Sequence, residues 1–271
     1  MQEFLQQFIN GLSKGSIYAL IAVGYTMVYG VLQLINFAHG DVFMVGAIVT
    51  LVLARKFGFV TPDHTTESWA AFMLCAILAI AACGILGFLI ERLAYRPLRN
   101  KPRINSLITA IGISLLLEFG GQHRAVFGPT PQPFPNEMLT GIKQPLCSIG
   151  GVVISRVDAL IVFVTLALMS VLTWIVLKTK AGLALRAVSY RFDTSALMGI
   201  NINRIISFTF ILGSTLAAAA GVLFAVKYPK VEPLMGLLPG VKAFVAAVFG
   251  GIGNIAGAVL GGIILGLVEV M

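Results

Sequence analysis

The sequence predicts an all-α integral membrane protein, a polytopic helical bundle of about seven or eight membrane segments with broken or re-entrant helices. Composition, apolar runs of membrane length and two basic loops carry this prediction. Of the 271 residues, 58% are hydrophobic and 11% are charged, against about 45–50% and about 25% in soluble globular chains. Too few polar side chains remain to cover a soluble fold of this length, so we expect one transmembrane domain over residues 1–271.

Apolar runs of about 20 residues, the length that crosses the hydrocarbon core of a bilayer, lie near 12–34, 69–90, 104–119, 159–177 and 205–226. Two more apolar segments, 41–54 and 240–270, are short or irregular. Before the first run, apolar side chains at helical spacing in residues 1–10 predict a short helix lying on the membrane surface.

The net charge of +8 is concentrated in loops. The stretch 91–105 holds five basic residues against one acid, and 178–204 again holds five against one. Because Lys and Arg are retained on the cytoplasmic side during insertion, both loops are predicted to face the cytoplasm. A nucleic-acid partner is not expected, since no soluble domain with a basic face is present.

The segment 120–158 is then predicted to be an extracytoplasmic loop. Four prolines between 129 and 135 favour extended, unpaired backbone, and β-prone runs around Gly150 and Gly151 predict a small hairpin. The loop is either a plain connector or a docking surface for an external partner, and the sequence leaves both open.

The first interruption divides the apolar stretch from about 16 to 54 at Asn36, His39, Gly40 and Asp41. Ionisable residues at membrane depth are candidates for function, and a polar break suits two part-length helices that line a cavity. Asp41 precedes an apolar run and is predicted to cap the next helix. The alternative is an ordinary cytoplasmic turn with a capping aspartate.

The second interruption lies at Gly250, Gly251, Gly253 and Asn254. Paired breaks in the two halves of a membrane protein point to a solute path, because exposed helix ends offer N–H and C=O groups inside the membrane. Glycines at 257, 261, 262 and 266 follow at the spacing that allows helices to pack closely. Glu118 and Lys242 lie near segment ends, where we expect them to reach the interface.

Enzymatic motifs are missing from the sequence. There is no nucleophile–histidine–acid set, no metal-spaced histidine or cysteine cluster and no phosphate-binding Gly-Lys-Thr/Ser loop. We therefore expect no enzyme activity, no metal and no cofactor in this chain. Energy for uphill transport would have to come from a partner.

The inner loop 178–204 offers a means of contact with such a partner. Residues from 181 onward favour a short helix that stops at Gly199, and an apolar tip at its end suits insertion into a groove on another protein. The predicted coupling residues are Arg186, Tyr190, Arg191, Leu197, Met198, Gly199, Ile200 and Asn201.

Three segments resemble the LivH-type permeases of branched-chain amino acid ABC importers: Gly30 to Ala47 with its Asn-Phe-Ala-His-Gly-Asp string, Arg186 to Asn201, and Lys242 to Ala258. The resemblance runs over nearly the whole chain. It implies a bacterial inner-membrane importer containing a second related permease subunit, two cytoplasmic ATPase subunits that bind ATP-Mg, and an extracytoplasmic solute-binding protein. It also implies that the inner-loop helix couples to the ATPase.

This chain departs from that family in two ways. Many relatives have an acidic pair where this chain has Tyr190 and Arg191, and relatives continue beyond the point where this sequence stops, so a truncated permease is expected. The leading hypothesis is a permease that carries leucine, isoleucine, valine or related amino acids and amides past the two breaks. The alternative is an ATP-independent channel or facilitator for a small polar solute.

Overall fold

The computed structural model describes residues 1–61, 65–99, 101–142, 144–149 and 151–271. Its helices are α1 (Gln2–Leu32), α2 (His39–Lys56), α3 (Trp69–Ile90), α4 (Arg103–Gln122), α5 (Arg156–Lys178), α6 (Lys180–Tyr190), α7 (Phe192–Leu197), α8 (Ile202–Lys227), α9 (Leu237–Phe249) and α10 (Ile255–Val270). Short strands are β1 (Gln132–Pro133), β2 (Pro145–Ile149), β3 (Val152–Ser155) and β4 (Lys230–Val231). Within these ranges, five helices are long and apolar enough to cross a membrane. The predicted all-α polytopic fold is confirmed.

Two helices form the centre of the bundle. In α1 and α8, 83% and 78% of the most apolar stretch is buried, whereas the figure is 22% in both α4 and α5. The peripheral helices therefore turn most of their apolar surface outward, as side chains facing lipid do.

Glycines let α10 lie directly on α1. A Cβ atom added to Gly266 would come within 2.3 Å of the Gly15 Cα atom, and one added to Gly262 within 2.6 Å of the Ala19 Cα atom. Backbones this close gain dispersion contacts that larger residues would prevent. The glycine series after the second break is thus a packing surface.

One end of the bundle, which we call the hairpin end, carries the β2–β3 hairpin. The helix α1 begins there, and the Gln6 side chain both donates to the Val153 carbonyl, at 3.0 Å, and accepts from its N–H, at 2.8 Å. The prediction of a separate surface helix in residues 1–10 is wrong, because these residues continue into α1 without a break. The proline segment is also paired, since β1 joins β4 at the end of α8.

The opposite end, which we call the basic end, carries Arg92, Arg96, Arg99, Lys178 and Arg204. Residues 91–95 form a π-helical turn and 96–98 a 3₁₀ turn, so α3 continues into the stretch predicted to be a loop. The two predicted basic loops lie together at this end because α3, α4, α5 and α8 all begin or finish there.

The first break lies earlier than predicted. The helix α1 stops at Leu32, Gln33 adopts a left-handed conformation with φ 53°, and α2 starts at His39. Residues 33–38 therefore form the break, while His39, Gly40 and Asp41 form the first turn of α2. The predicted helix cap at Asp41 is wrong: Ala38 occupies the cap position, and Asp41 already lies inside the helix.

The second break is the tip of a helical hairpin made by α9 and α10. Gly251 and Gly253 have φ of +91° and +95°, which disfavours residues with a Cβ atom. Asn254 caps α10 by accepting from the Gly257 N–H at 3.2 Å. With 13 and 16 residues, the two helices are about 20 and 24 Å long.

Candidate translocation and coupling site

His39 fills the junction of α1, α2 and α8. Its side chain is 1% exposed, and its ring lies 4.6 Å from the Tyr25 ring. A Cβ atom on Gly24 would come within 2.3 Å of the His39 Nε2 atom, so the imidazole fits only because position 24 has no side chain. Nε2 has no hydrogen-bond partner among the described residues. His39 thus joins three helices by packing, since it also lies against Gly213 of α8.

Asp41 faces α4. The Ser114 hydroxyl donates to Asp41 Oδ2 at 2.5 Å, and the carboxyl group of Glu118 interacts with that of Asp41. Glu118 is only 6% exposed, so the expectation that it reaches the interface is wrong. The helical spacing of Ser114 and Glu118 turns both side chains toward α2. Two carboxyl groups therefore meet inside the protein next to the first break.

Asn36 and Gly40 connect the break to other helices. The Tyr95 hydroxyl donates to Asn36 Oδ1 at 3.0 Å, and a Cβ atom on Gly40 would come within 2.9 Å of the Gly236 carbonyl oxygen. Asn36, His39 and Asp41 are all buried. The first break is therefore enclosed by protein on several sides.

The two breaks lie close together. Ile35 of the first break and Ile252 of the second line one small cavity, with Tyr25 and Phe244. Gly30, near the end of α1, lies against Gly253, since a Cβ atom there would be 3.5 Å from the Gly253 Cα atom. The structure thus brings together two segments that are more than 200 positions apart in the sequence.

Beside the second break lies a cleft of about 770 Å³. Its walls come from the end of α1, the end of α5, the helix α6 and the tip of the α9–α10 hairpin. Leu185, Arg186 and Ser189 enter it from α6, and Gly253 and Asn254 from the tip. One member of the predicted coupling set and two of the predicted path residues therefore share a cleft, which we call the tip cleft. Gly250 and Gly251 lie outside its lining.

The remaining coupling residues lie on or after α6. Tyr190, Leu197 and Met198 are 85%, 87% and 78% exposed, and Gly199 has φ +81°. The exposed apolar tip is shorter than predicted, because Ile200 packs against the core. Asn201 caps α8 by accepting from the Arg204 N–H at 3.2 Å. Arg191 is exposed and precedes α7.

Residues 7–271 match the family model described as the branched-chain amino acid transport system permease component. The chain belongs to this permease family. BraD of Pseudomonas aeruginosa, named as a high-affinity branched-chain amino acid transport system permease protein, is 41% identical over 272 residues, covering 98% of this chain and 85% of the relative. LivH of Salmonella typhimurium, with the same description, is 40% identical over 274 residues, covering 99% and 85%.

A more distant relative is the probable branched-chain amino acid transport permease protein LivH of Methanocaldococcus jannaschii, 26% identical over 94% of this chain and 76% of its own length. No solved structure shows a significant match. The permease is a multi-pass protein of the bacterial inner membrane. Its relatives are named as transport system permease proteins.

An ionic network at the hairpin end of the permease was not predicted. Glu269 of α10 accepts from Lys14 at 2.7 Å, from Lys242 at 2.6 Å and from the Tyr18 hydroxyl at 2.8 Å. Lys242, expected to extend to the interface, forms an ion pair with Glu269. The signal available was the cost of a lone charge within an apolar segment, which makes Lys14 a residue that needs a partner.

A second ion pair lies at the same end. Lys227, in the last turn of α8, donates to Asp158 Oδ1 at 2.8 Å and to the Ser13 hydroxyl at 2.9 Å. It links α1, α5 and α8, as Glu269 links α1, α9 and α10. The hairpin end of the permease is therefore held by charge pairing, whereas the basic end carries a surplus of cations.

Proposed function

We propose that the chain is the membrane permease subunit of an ATP-driven importer, and that its substrates are leucine, isoleucine, valine or closely related amino acids and amides. The names of BraD and LivH support this substrate class. The tip cleft supports the mechanistic part of the proposal. It is lined by residues of the second break and by α6, the helix that precedes the exposed residues Leu197 and Met198.

Orientation follows from charge. The basic end gathers the arginines and lysines of both basic loops, which favours its placement in the cytoplasm. The hairpin end then faces outward, where an extracytoplasmic solute-binding protein would deliver substrate. We place the ATPase contact at α6 and α7 on the cytoplasmic side.

The contact with the ATPase is assigned to the exposed pair Leu197 and Met198. Apolar side chains on a short helix suit a groove in a partner protein, and burying them there would remove them from water. Because the sequence has no phosphate-binding loop, ATP-Mg is assigned to the two ATPase subunits. Because α6 lines the tip cleft, a movement of α6 would be transmitted to the tip of the α9–α10 hairpin.

The translocation path is assigned to the region between the two breaks, lined by Asn36 to Asp41 and by Gly250 to Asn254, and completed by a second permease subunit. Backbone N–H and C=O groups at helix ends can bind the charged groups of an amino acid, and the apolar walls suit a branched side chain. The first break is enclosed in this conformation, so transport requires the α9–α10 hairpin to move relative to α2.

The test is uptake of labelled leucine into proteoliposomes containing the permease pair, the ATPases and the binding protein. The double variant Leu197→Asp and Met198→Asp should lose both ATPase co-purification and ATP-driven uptake, because two charges cannot enter an apolar groove. The matched control is Leu146→Asp, an exposed apolar residue on β2 at the opposite end, which should retain ATPase binding.

Wild-type uptake and co-purification by the double variant would refute the coupling assignment. Uptake by this chain alone, unchanged by ATP, would support a facilitator and remove the importer proposal. ATP-driven uptake of an unrelated solute, with no leucine transport, would refute only the substrate class.

A further inference from the structure

A second cleft, of about 350 Å³, lies at the basic end between the π-helical continuation of α3 and the first turns of α8. Arg92, Arg96 and Arg204 line it, and Phe88, Phe208 and Ile211 form an apolar wall. It contributes nothing to the two breaks or to the tip cleft, whose lining residues are different. The cleft therefore needs its own explanation.

An acid beside the cleft is already neutralised. Glu91 is fully buried, where it accepts from the Arg99 guanidinium and from the Ser207 hydroxyl, the latter at 2.5 Å. Within the described ranges, no ion pair involves Arg92, Arg96 or Arg204. Three arginines thus line one cleft with no acidic side chain paired to them in that part of the chain, an arrangement that costs repulsion.

The local helix geometry explains the convergence. Arg92 and Arg96 are four positions apart on a helical continuation, so they project from the same side of it. Arg204 comes from the first turn of α8, whose free N–H groups also favour negative charge. Asn203 lines the cleft as well, and its side-chain oxygen accepts from Arg99. The amide nitrogen of Asn203 is then the atom left as a donor.

We propose that this cleft binds the phosphate headgroup of an anionic phospholipid. Guanidinium groups pair with phosphate oxygens through two parallel hydrogen bonds. The apolar wall favours a lipid over free phosphate. A free anion gains nothing from contact with Phe88, Phe208 and Ile211, whereas acyl chains would pack against them. The neighbouring surface of α3 is exposed and apolar at Ile85 and Leu89, which continues the wall into the membrane. Basic pockets at the cytoplasmic face commonly bind such headgroups.

The experiment uses the full-length chain, purified in detergent and titrated with phosphatidylglycerol, with binding followed by native mass spectrometry. The cleft variant replaces Arg92, Arg96 and Arg204 with glutamine. The matched control replaces Lys101, Arg103 and Lys178 with glutamine, which removes the same charge from exposed positions of the same end outside the cleft. Phosphatidylcholine with identical acyl chains tests the headgroup, and inorganic phosphate tests a free anion.

Each arginine near an anionic lipid contributes roughly fivefold in affinity, so the cleft variant should bind phosphatidylglycerol at least about tenfold more weakly than wild type. The control variant should stay within about twofold. Phosphatidylcholine should bind poorly to all three proteins. Because the readout is lipid binding and not uptake, the result is independent of the transport proposal.

Equal loss of phosphatidylglycerol in the cleft and control variants would overturn the proposal, since it would show a general effect of end charge. Displacement of phosphatidylglycerol by an equal concentration of inorganic phosphate would assign the cleft to a free anion instead. Unchanged lipid binding combined with lost ATPase co-purification would identify it as a protein contact and equally refute the lipid site.

Discussion

The substitution Gly24→Ala tests how α1, α2 and α8 meet at the first break. The new Cβ atom would lie 2.3 Å from His39 Nε2 and 2.5 Å from Cε1, about 1 Å short of ordinary van der Waals contact. The imidazole has little room to move away from the new methyl group, because it is 1% exposed and packed against Tyr25. Overpacking of this size costs about 1–3 kcal/mol. For a chain of this length the midpoint of thermal unfolding should fall by about 2–5 °C.

The assay is thermal unfolding of the purified chain, followed by intrinsic fluorescence. Gly112→Ala is the matched control: it is also a helical glycine, its added Cβ atom meets nothing within 4 Å, and the midpoint should stay unchanged or rise. A cycle with His39→Ala isolates the clash, because Gly24→Ala should cost little once the ring is gone. Equal destabilisation in the presence and absence of the imidazole would refute the reasoning.

Two further substitutions test the other helix contacts. Glu269→Gln removes the charge shared by two lysines, which should cost about 1–2 kcal/mol after allowing for partial exposure and lower the unfolding midpoint by a few degrees. The control Lys230→Gln breaks an exposed ion pair and should change the midpoint by less than about a degree. Equal effects of the two substitutions would contradict the assigned network. Gly261→Ala places a Cβ atom 2.2 Å from the Ala246 carbonyl oxygen and should therefore separate α9 from α10. The measurement is limited proteolysis, which should cut faster at the tip of the α9–α10 hairpin while the rest of the chain stays intact. Unchanged proteolysis would contradict the tight packing.

Local patterns predicted the helices well and their tertiary partners poorly. The five long spans were predicted within a few residues at most ends, because the need for apolar length leaves a clear signal. The first break was placed too late, since His39 and Asp41 are polar residues that the structure accommodates inside α2 through contacts with α1 and α4. Periodicity within one segment carries no information about such contacts.

For the candidate site too, the sequence predicted local features but not contacts between distant segments. The sequence identified both breaks and the exposed pair Leu197 and Met198, since these depend on local glycines and apolar tips. It missed the pairing of Glu269 with Lys14, whose members are 255 positions apart. It also missed the tip cleft, which depends on how α6 packs beside α1 and α5.

The separation of Lys14 from Glu269 also bears on how the protein is made. The helix α1 leaves the ribosome well before α10, yet α10 is the helix that packs closest against it. At a synthesis rate of about 5–20 residues per second, the 255 intervening positions take about 13–50 s. Throughout that interval the most deeply buried helix of the finished bundle must wait in the lipid, or beside the insertion machinery, with its lysine unpaired. The core around α1 therefore cannot close before α10 has been made, and a chain that stalls before that point would leave an unpartnered charge that quality-control proteases could recognise.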